Sequence, residues 1–242
     1  MSTERTANEV AHAAAVRSMF SGIAGRYDLL NHLLSVNIDK SWRRRVRSLL
    51  AETLADPRAI VLDVACGTGD LSIELQRDAA AKVVGTDFCR PMLARAREKT
   101  AVLSLTIPYI EADAMQLSFP DETFDAATIA FGLRNLANFK DGLSELRRIL
   151  KPGGKLVVLE FSSPAVPGFR TLFNFYFAQV LPRIGGLVSG SRGAYEYLPD
   201  SVSKFPDQKA LVQMFRTSGF EDVSYSNLTG GIAAIHSGTR SG

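Results

Sequence analysis

The chain has 242 residues, 46% hydrophobic and 22% charged, enough for a full core in one globular unit with an insertion. A formal net charge of +3 does not mark a polyanion binder, and two cysteines without a C-x-x-C pair argue against a disulfide framework or a metal site. With no apolar signal region and no uncharged apolar run of about eighteen residues, neither a secretion signal nor a membrane span is expected, and a cytoplasmic setting is.

Residues 1–20 are polar and Ala-rich and read as a frayed tail leading into a helix. Over residues 21–56, Tyr27, Leu29, Leu30, Leu33 and Leu34 recur at helical spacing, followed by Trp42, Val46, Leu49 and Leu50, so residues 1–56 are expected to form a helical cap. From residue 57 strands and helices alternate. An apolar run from Val61 to Val64 ends in Gly67-Thr68-Gly69 and gives way to a helical pattern through Leu75. A second run closes at Asp87. A helix at about 91–99, a short strand at Tyr109-Ile110 and a strand over residues 125–129 come next. A helix over residues 141–150 is stopped by Pro152 and Gly153, and a strand over 155–161 follows. The rhythm breaks at 162–200, an aromatic-rich insertion that includes Phe169, Phe173, Phe175, Tyr176 and Phe177. A helix at about 207–218 ends at Gly219, and strands over 223–227 and 232–236 close the chain. That alternation predicts an α/β fold with a doubly wound parallel sheet and a ligand at the carboxyl ends of its strands.

The strand, glycine turn and helix at 61–75 bring backbone against a nucleotide-like ligand, and Gly67 and Gly69 keep Cβ atoms out of the way. Asp87, ending the second strand, is placed to accept both hydroxyls of a ribose. A dinucleotide site would carry a third glycine where this chain has Ser72, so the ligand reads as a nucleoside without a diphosphate. S-adenosylmethionine fits better than NAD.

Several blocks, in order, resemble the ubiquinone/menaquinone biosynthesis C-methyltransferase family. They are Met19-Phe20-Ser21-Gly22-Ile23-Ala24-Gly25-Arg26-Tyr27-Asp28, with Asn31 and Trp42-Arg43; Phe131-Gly132-Leu133-Arg134-Asn135; Leu150 to Gly154 with Leu159-Glu160-Phe161-Ser162; Ala194-Tyr195-Glu196-Tyr197-Leu198; and Asn227 to Ile232. The resemblance covers nearly the whole chain. It implies a class I S-adenosylmethionine-dependent methyltransferase, with a Rossmann-like seven-stranded sheet over 57–242, its last strand antiparallel and helices on both faces. It implies C-methylation of a polyprenylated quinol ring with S-adenosyl-L-methionine as donor. Cofactor contacts then fall on Thr68 in the turn with Gly67 and Gly69, on Asp87 at the ribose, and on Asp113-Ala114 beside the adenine. Where the family often has a serine before the Phe131 block, this chain has Ala130, and that contact is not carried over.

The methyl of a sulfonium is already electrophilic, so the protein must chiefly align it with a ring carbon made nucleophilic by loss of a phenol proton. Arg134, just past the fourth strand, is expected to face the acceptor and to stabilise the phenolate or orient a water, with Asn135 and Tyr27 shaping the pocket. Asp63 reads equally as a local cap or a cofactor contact. Tyr195 and Tyr197 read as core or substrate-facing, and none of the three histidines is expected to be catalytic. The insertion reads as core, lid or membrane contact for a prenyl tail, each of whose methylenes costs about 0.8 kcal/mol in water. Arg43-Arg44-Arg45 with Arg47 form either a solvated face or a contact to anionic headgroups on the inner face of the membrane. Expected partners are the polyprenylated quinol, a membrane surface met peripherally and a second copy as a homodimer, with no nucleic acid. The competing functions are a methyltransferase for another small molecule or nucleic acid and a non-catalytic cofactor- or lipid-binding subunit. The acceptor ring is a naphthoquinol or a benzoquinol. The compact length and the absence of a targeting segment resemble bacterial members of that family that act on demethylmenaquinol, and demethylmenaquinol is the expected acceptor.

Overall fold

The computed structural model describes residues 5–25, 27, 28, 37–162 and 192–242, without the side chains of 192–196. Seven strands form one sheet: β1 (Ile60–Val64), β2 (Lys82–Asp87), β3 (Tyr109–Glu111), β4 (Phe124–Ala130), β5 (Leu150–Phe161), β6 (Phe220–Leu228) and β7 (Ala233–Arg240). Their order is β3-β2-β1-β4-β5-β7-β6. All pairings from β3 to β5 are parallel, and β7 runs antiparallel between β5 and β6. The chain winds outward from β1 in one direction to β3 and then crosses to β4 on the other side. A crevice therefore opens where the carboxyl ends of β1 and β4 diverge.

Helices cover both faces, as the alternation of β1 side chains requires. Leu62 and Val64 pack with Leu143 and Leu146 of α6 (Phe139–Ile149) and with Leu211 and Phe215 of α8 (Gln208–Thr217). Val61 packs on the opposite side with Trp42, Val46 and Leu75. These come from α2 (Ile38–Leu49) and α4 (Asp70–Gln76), with the short α3 (Ala51–Ala55) following α2. The remaining described helices are α1 (Ala7–Ile23), α5 (Arg90–Val102) and α7 (Arg192–Lys204).

Three expectations change. The N-terminal segment is helical from Ala7 onward, because Thr6 and Glu9 close a reciprocal capping box ahead of an alanine-rich run of high helix propensity. Strand β5 begins at Leu150, ahead of Pro152. Leu150 pairs with Phe124, and the pairing then shifts register between Phe124 and Ala126, letting Gly153 (φ +77°) turn within the strand. Strands β6 and β7 run longer than the alternation predicts and are joined by a 3-10 turn, Thr229–Gly231. The Leu29–Leu34 pattern and residues 163–191 of the insertion lie outside the described residues.

Candidate active site

At the end of β1 the chain makes its turn with Gly67 at φ +56° and Gly69 at φ +82°. The two glycines serve different ends. A Cβ on Gly67 would meet only the Tyr27 ring, 3.9 Å away, and the residue lines a cleft of about 790 Å3, mouth included. A Cβ on Gly69 would stand 2.5 Å from the Tyr109 hydroxyl and 3.0 Å from the Ala96 Cβ. Gly69 is therefore needed to pack the start of α4 against β3 and α5, and it does not line the cleft.

Asp87, 6% exposed at the end of β2, accepts the Gly67 amide at Oδ2 and the Cys89 amide at Oδ1, both at 2.8 Å. Burial pushes its carboxyl up to about 6, against the pull of those two N–H groups. Beneath it, Asp63 accepts the Ser72 hydroxyl at 2.5 Å and the Thr128 hydroxyl at 2.9 Å. Burial also raises this carboxyl to about 6, with Asp87 adding to the shift. Asp63 does not line the cleft: it ties β1 to β4 and to the first turn of α4. Ser72, in place of a third glycine, is the residue that makes this tie.

Asp113 and Ala114 line the far end of the cleft with Phe88, Met92 and Met115. The Asp113 carboxylate accepts Nη1 of Arg5 at 2.7 Å and the Met115 amide at 2.9 Å. Burial works to raise its carboxyl, but the bonds from Arg5 and Met115 prevail and hold it below the ordinary range. The partner comes from just ahead of the N-terminal helix, and this segment crosses the cleft and contributes Arg5, Glu9, Ala13 and Phe20 to its wall. Arg17 lies 5.3 Å from the Phe88 ring centre, Ser21 Oγ is 3.3 Å from Cys89 Sγ, and His12 Nε2 donates to the Asn135 carbonyl at 3.2 Å. Tyr27 also lines the cleft, edge-on to Phe20 at 5.9 Å.

The opposite wall follows β4. Ala130, Phe131, Gly132 and Asn135 line it. Phe131 adopts φ +56° and packs on Phe161 at 4.7 Å and Trp42 at 6.0 Å. Asn135 donates from Nδ2 to the Phe131 carbonyl at 3.2 Å and accepts the Tyr197 hydroxyl at 3.1 Å. Tyr197 is thus tied to the site, while Tyr195 lies outside the described side chains.

Arg134 is placed differently from its expectation. The 3-10 turn Leu133–Asn135 directs it inward, 8% exposed and off the cleft lining. Its Nη1 binds Glu160 Oε1 and the Phe131 carbonyl, both at 2.6 Å, and its own amide donates to Glu160 Oε2 at 3.2 Å. Burial raises the Glu160 carboxyl despite the guanidinium beside it. Nε of Arg134 is buried and has no hydrogen-bond partner among the described residues. Glu160 sits within a block read from the sequence, yet its role was not foreseen.

Of the remaining expected residues, Thr68 is also off the lining. Its hydroxyl donates to Asp28, and Lys99 Nζ approaches it at 3.3 Å. Of the basic run, Arg43 pairs with Asp39 at 2.5 Å and Asp70 at 3.3 Å, and Arg47 donates to the Arg77 carbonyl, while Arg44 and Arg45 stay exposed. No cluster able to hold a metal occurs among the described residues, and no helix among them is long and apolar enough to cross a membrane.

The strand order with one antiparallel member, and a cleft that joins a glycine turn to a strand-end acid at the switch point, define the class I methyltransferase fold. The same fold occurs in phosphoethanolamine N-methyltransferase 2 of Haemonchus contortus, solved in complex with S-adenosyl-L-methionine. The match has a TM-score of 0.60 at 13% identity, over 82% of this chain and 53% of that one. The chain belongs to the ubiE/COQ5 methyltransferase family, whose pattern matches residues 7–240. It is 53% identical to the demethylmenaquinone methyltransferase of Thermus thermophilus over 92% of this chain and 100% of that protein. To the ubiquinone/menaquinone biosynthesis C-methyltransferase UbiE of Geobacter sp. strain M21 it is 46% identical, over 93% and 96%.

Proposed function

We propose that this enzyme uses S-adenosylmethionine to C-methylate a polyprenylated quinol ring, converting demethylmenaquinol to menaquinol. The observation that carries the reading is the cleft itself, which has a buried strand-end carboxylate at one side and the Phe131 and Asn135 wall at the other. The names of the two relatives agree with it.

The residues present fit the cofactor. Asp87 has lone pairs left for two ribose hydroxyls after accepting two amides, and Phe88, Met92, Ala114 and Met115 offer an apolar slot for a purine. The buried Nη2 of Arg5, on the cleft wall, has no partner within the described chain. When bound, S-adenosylmethionine supplies a methyl group on a positively charged sulfur, electrophilic without further activation. The chain's own work is orientation and proton control. Helix α1 and Tyr27 cover the site and keep water from it. Asn135, fixed by Tyr197 and by the Phe131 carbonyl, directs the quinol hydroxyl. Arg134, neutralised by Glu160 and buried off the cleft lining, acts through the Phe131 carbonyl that it holds, fixing the wall that orients the quinol, and a water takes the phenol proton. The ring hydrogen then leaves as a proton, restoring aromaticity. The prenyl tail implies work at a membrane surface, with exposed Lys40, Arg44 and Arg45 on α2 set toward anionic headgroups.

Quinone profiling by mass spectrometry of a strain lacking the gene tests the reaction. Demethylmenaquinone should accumulate and disappear on complementation; accumulation solely of a demethylated benzoquinone would overturn the naphthoquinol assignment.

A further inference from the structure

We propose that Lys99 is a positioning residue for cofactor capture, clasping Asp28 to the glycine turn and so holding Tyr27 over Gly67. The inference rests on reading the cleft as an S-adenosylmethionine site. Lys99 stands in the last turn of α5, off the cleft lining. Its Nζ is 2.8 Å from Oδ2 of Asp28 and 3.3 Å from the Thr68 hydroxyl, and it also bonds Oδ1 of Asp70 at the start of α4. The other oxygen of Asp28 accepts the Thr68 hydroxyl. One aspartate of the N-terminal segment is therefore gripped from two sides, by α5 and by the turn that the sequence assigns to the cofactor. Side-chain exposures of 28% for Lys99, 32% for Asp28 and 24% for Asp70 put the cluster in partial shelter, where a charge is screened less than on an open surface.

The clasp reaches the cleft through the residue before Asp28. Tyr27 lines the cleft, and its Cε1 stands 3.9 Å from the point where a Cβ would lie on Gly67. Gly67 in turn donates its amide to Asp87. Lys99 thus fixes the cover of the very peptide that orients the ribose-side carboxylate. If the ammonium is removed, Asp28 loses its cation and faces Asp70, which only Arg43 on its other oxygen still partly offsets. Their repulsion moves the Tyr27-Asp28 segment outward and opens the turn to water. The loss falls on cofactor affinity, because Lys99 and Asp28 touch neither the cleft nor the Phe131–Asn135 wall where the acceptor is oriented.

The test compares Lys99→Met, Lys99→Arg and Asp28→Asn in the full chain, with S-adenosylhomocysteine binding read by calorimetry and amide exchange of residues 21–28 by mass spectrometry. Lys99→Met should weaken binding about tenfold and speed exchange at Tyr27 and Asp28 by a similar factor, with β1 and β4 amides unchanged. Turnover at saturating cofactor should fall by less than about threefold, so the effect appears in KM. Lys99→Arg, which keeps the charge, should restore both readouts. Adding Asp28→Asn to Lys99→Met should relieve part of the defect, since it removes one of the two opposed charges. Unchanged exchange in Lys99→Met would overturn the clasp whatever the cleft binds. Faster exchange with affinity within about twofold of wild type would overturn the positioning role. A wild-type chain that binds no S-adenosylhomocysteine would overturn the cofactor reading and the positioning role together, while the exchange data still judge the clasp.

Discussion

Titrating cofactor binding between pH 7 and pH 5 tests Asp87 more directly than deleting it. Burial places its carboxyl at about 6, so the group is mostly ionised at pH 7 and mostly protonated at pH 5. A ribose held by a carboxylate loses that acceptor on protonation. The apparent Kd for S-adenosylhomocysteine should rise about tenfold over this range, about 1.4 kcal/mol. Stability moves the other way. A folded-state value above the ordinary carboxylate value means that the native state takes up the proton more readily than the unfolded chain. The contribution of Asp87 to stability is therefore largest in acid and is lost as pH rises through about 6. A shift of this size corresponds to roughly 3 kcal/mol at neutral pH, an order-of-magnitude figure, since Asp63 titrates with it as a pair. Calorimetric titrations at half-unit intervals, run beside denaturant unfolding of wild type and Asp87→Asn, separate the two effects. On acidification the wild type should lose affinity while gaining stability relative to Asp87→Asn. The variant itself should bind more weakly and with little pH dependence. Asp63→Asn, by removing a neighbouring charge, should move the midpoint of the binding curve to lower pH. A Kd constant within about twofold from pH 7 to pH 5 would refute the placement of the ribose on this carboxylate.

Arg134→Ala removes the guanidinium that holds the Phe131 carbonyl and should slow single-turnover methylation about tenfold while leaving cofactor affinity within about twofold; rapid-quench kinetics would detect the absence of such a loss. Glu160→Ala leaves the Arg134 guanidinium buried and uncompensated, and should cost about 3–5 kcal/mol in urea unfolding, whereas substituting both partners by apolar residues should cost less. Gly69→Ala forces a Cβ to 2.5 Å from the Tyr109 hydroxyl at φ +82°, and a loss of about 2–4 kcal/mol is expected, partly relieved by Tyr109→Phe. Replacing Lys40, Arg44 and Arg45 with glutamate should abolish low-salt sedimentation with anionic liposomes and leave Tm unchanged; retained sedimentation would rule out this face as the contact.

The parallel half of the sheet could be read from residue order because β1, β2, β4 and β5 are short apolar runs buried on both faces, and the residues that end them stand at the switch point by topology alone. Asp87 was legible for the same reason. The partners of site residues were not. Arg134 and Glu160 are 26 positions apart on different elements, and Arg5 meets Asp113 across 108 positions, so no local period signals either pair. Helix α1 reads as a tail because only Val16 and Ile23 are buried within it; it is held in place by its N-terminal capping box and by contacts to distant segments. Gly69 and Thr68 were assigned to the ligand because the motif places them beside it. A glycine that makes room for a ligand and one that makes room for a tyrosine leave the same mark in the sequence.

The direction of β7 also fixes which end of the molecule can be handled. Because this strand runs against its neighbour β5, with Lys155 opposite Thr239 and Phe161 opposite Ala233, it carries the chain away from the crevice. Arg240 is anchored at the other rim by the carbonyls of Arg148 and Leu150 and by Glu122. A reporter or surface tether joined after Gly242 would therefore stand behind the sheet and leave the mouth of the cleft clear. Arg5, at the opposite end of the described chain, lines the cleft, so the same attachment made there would stand at its wall.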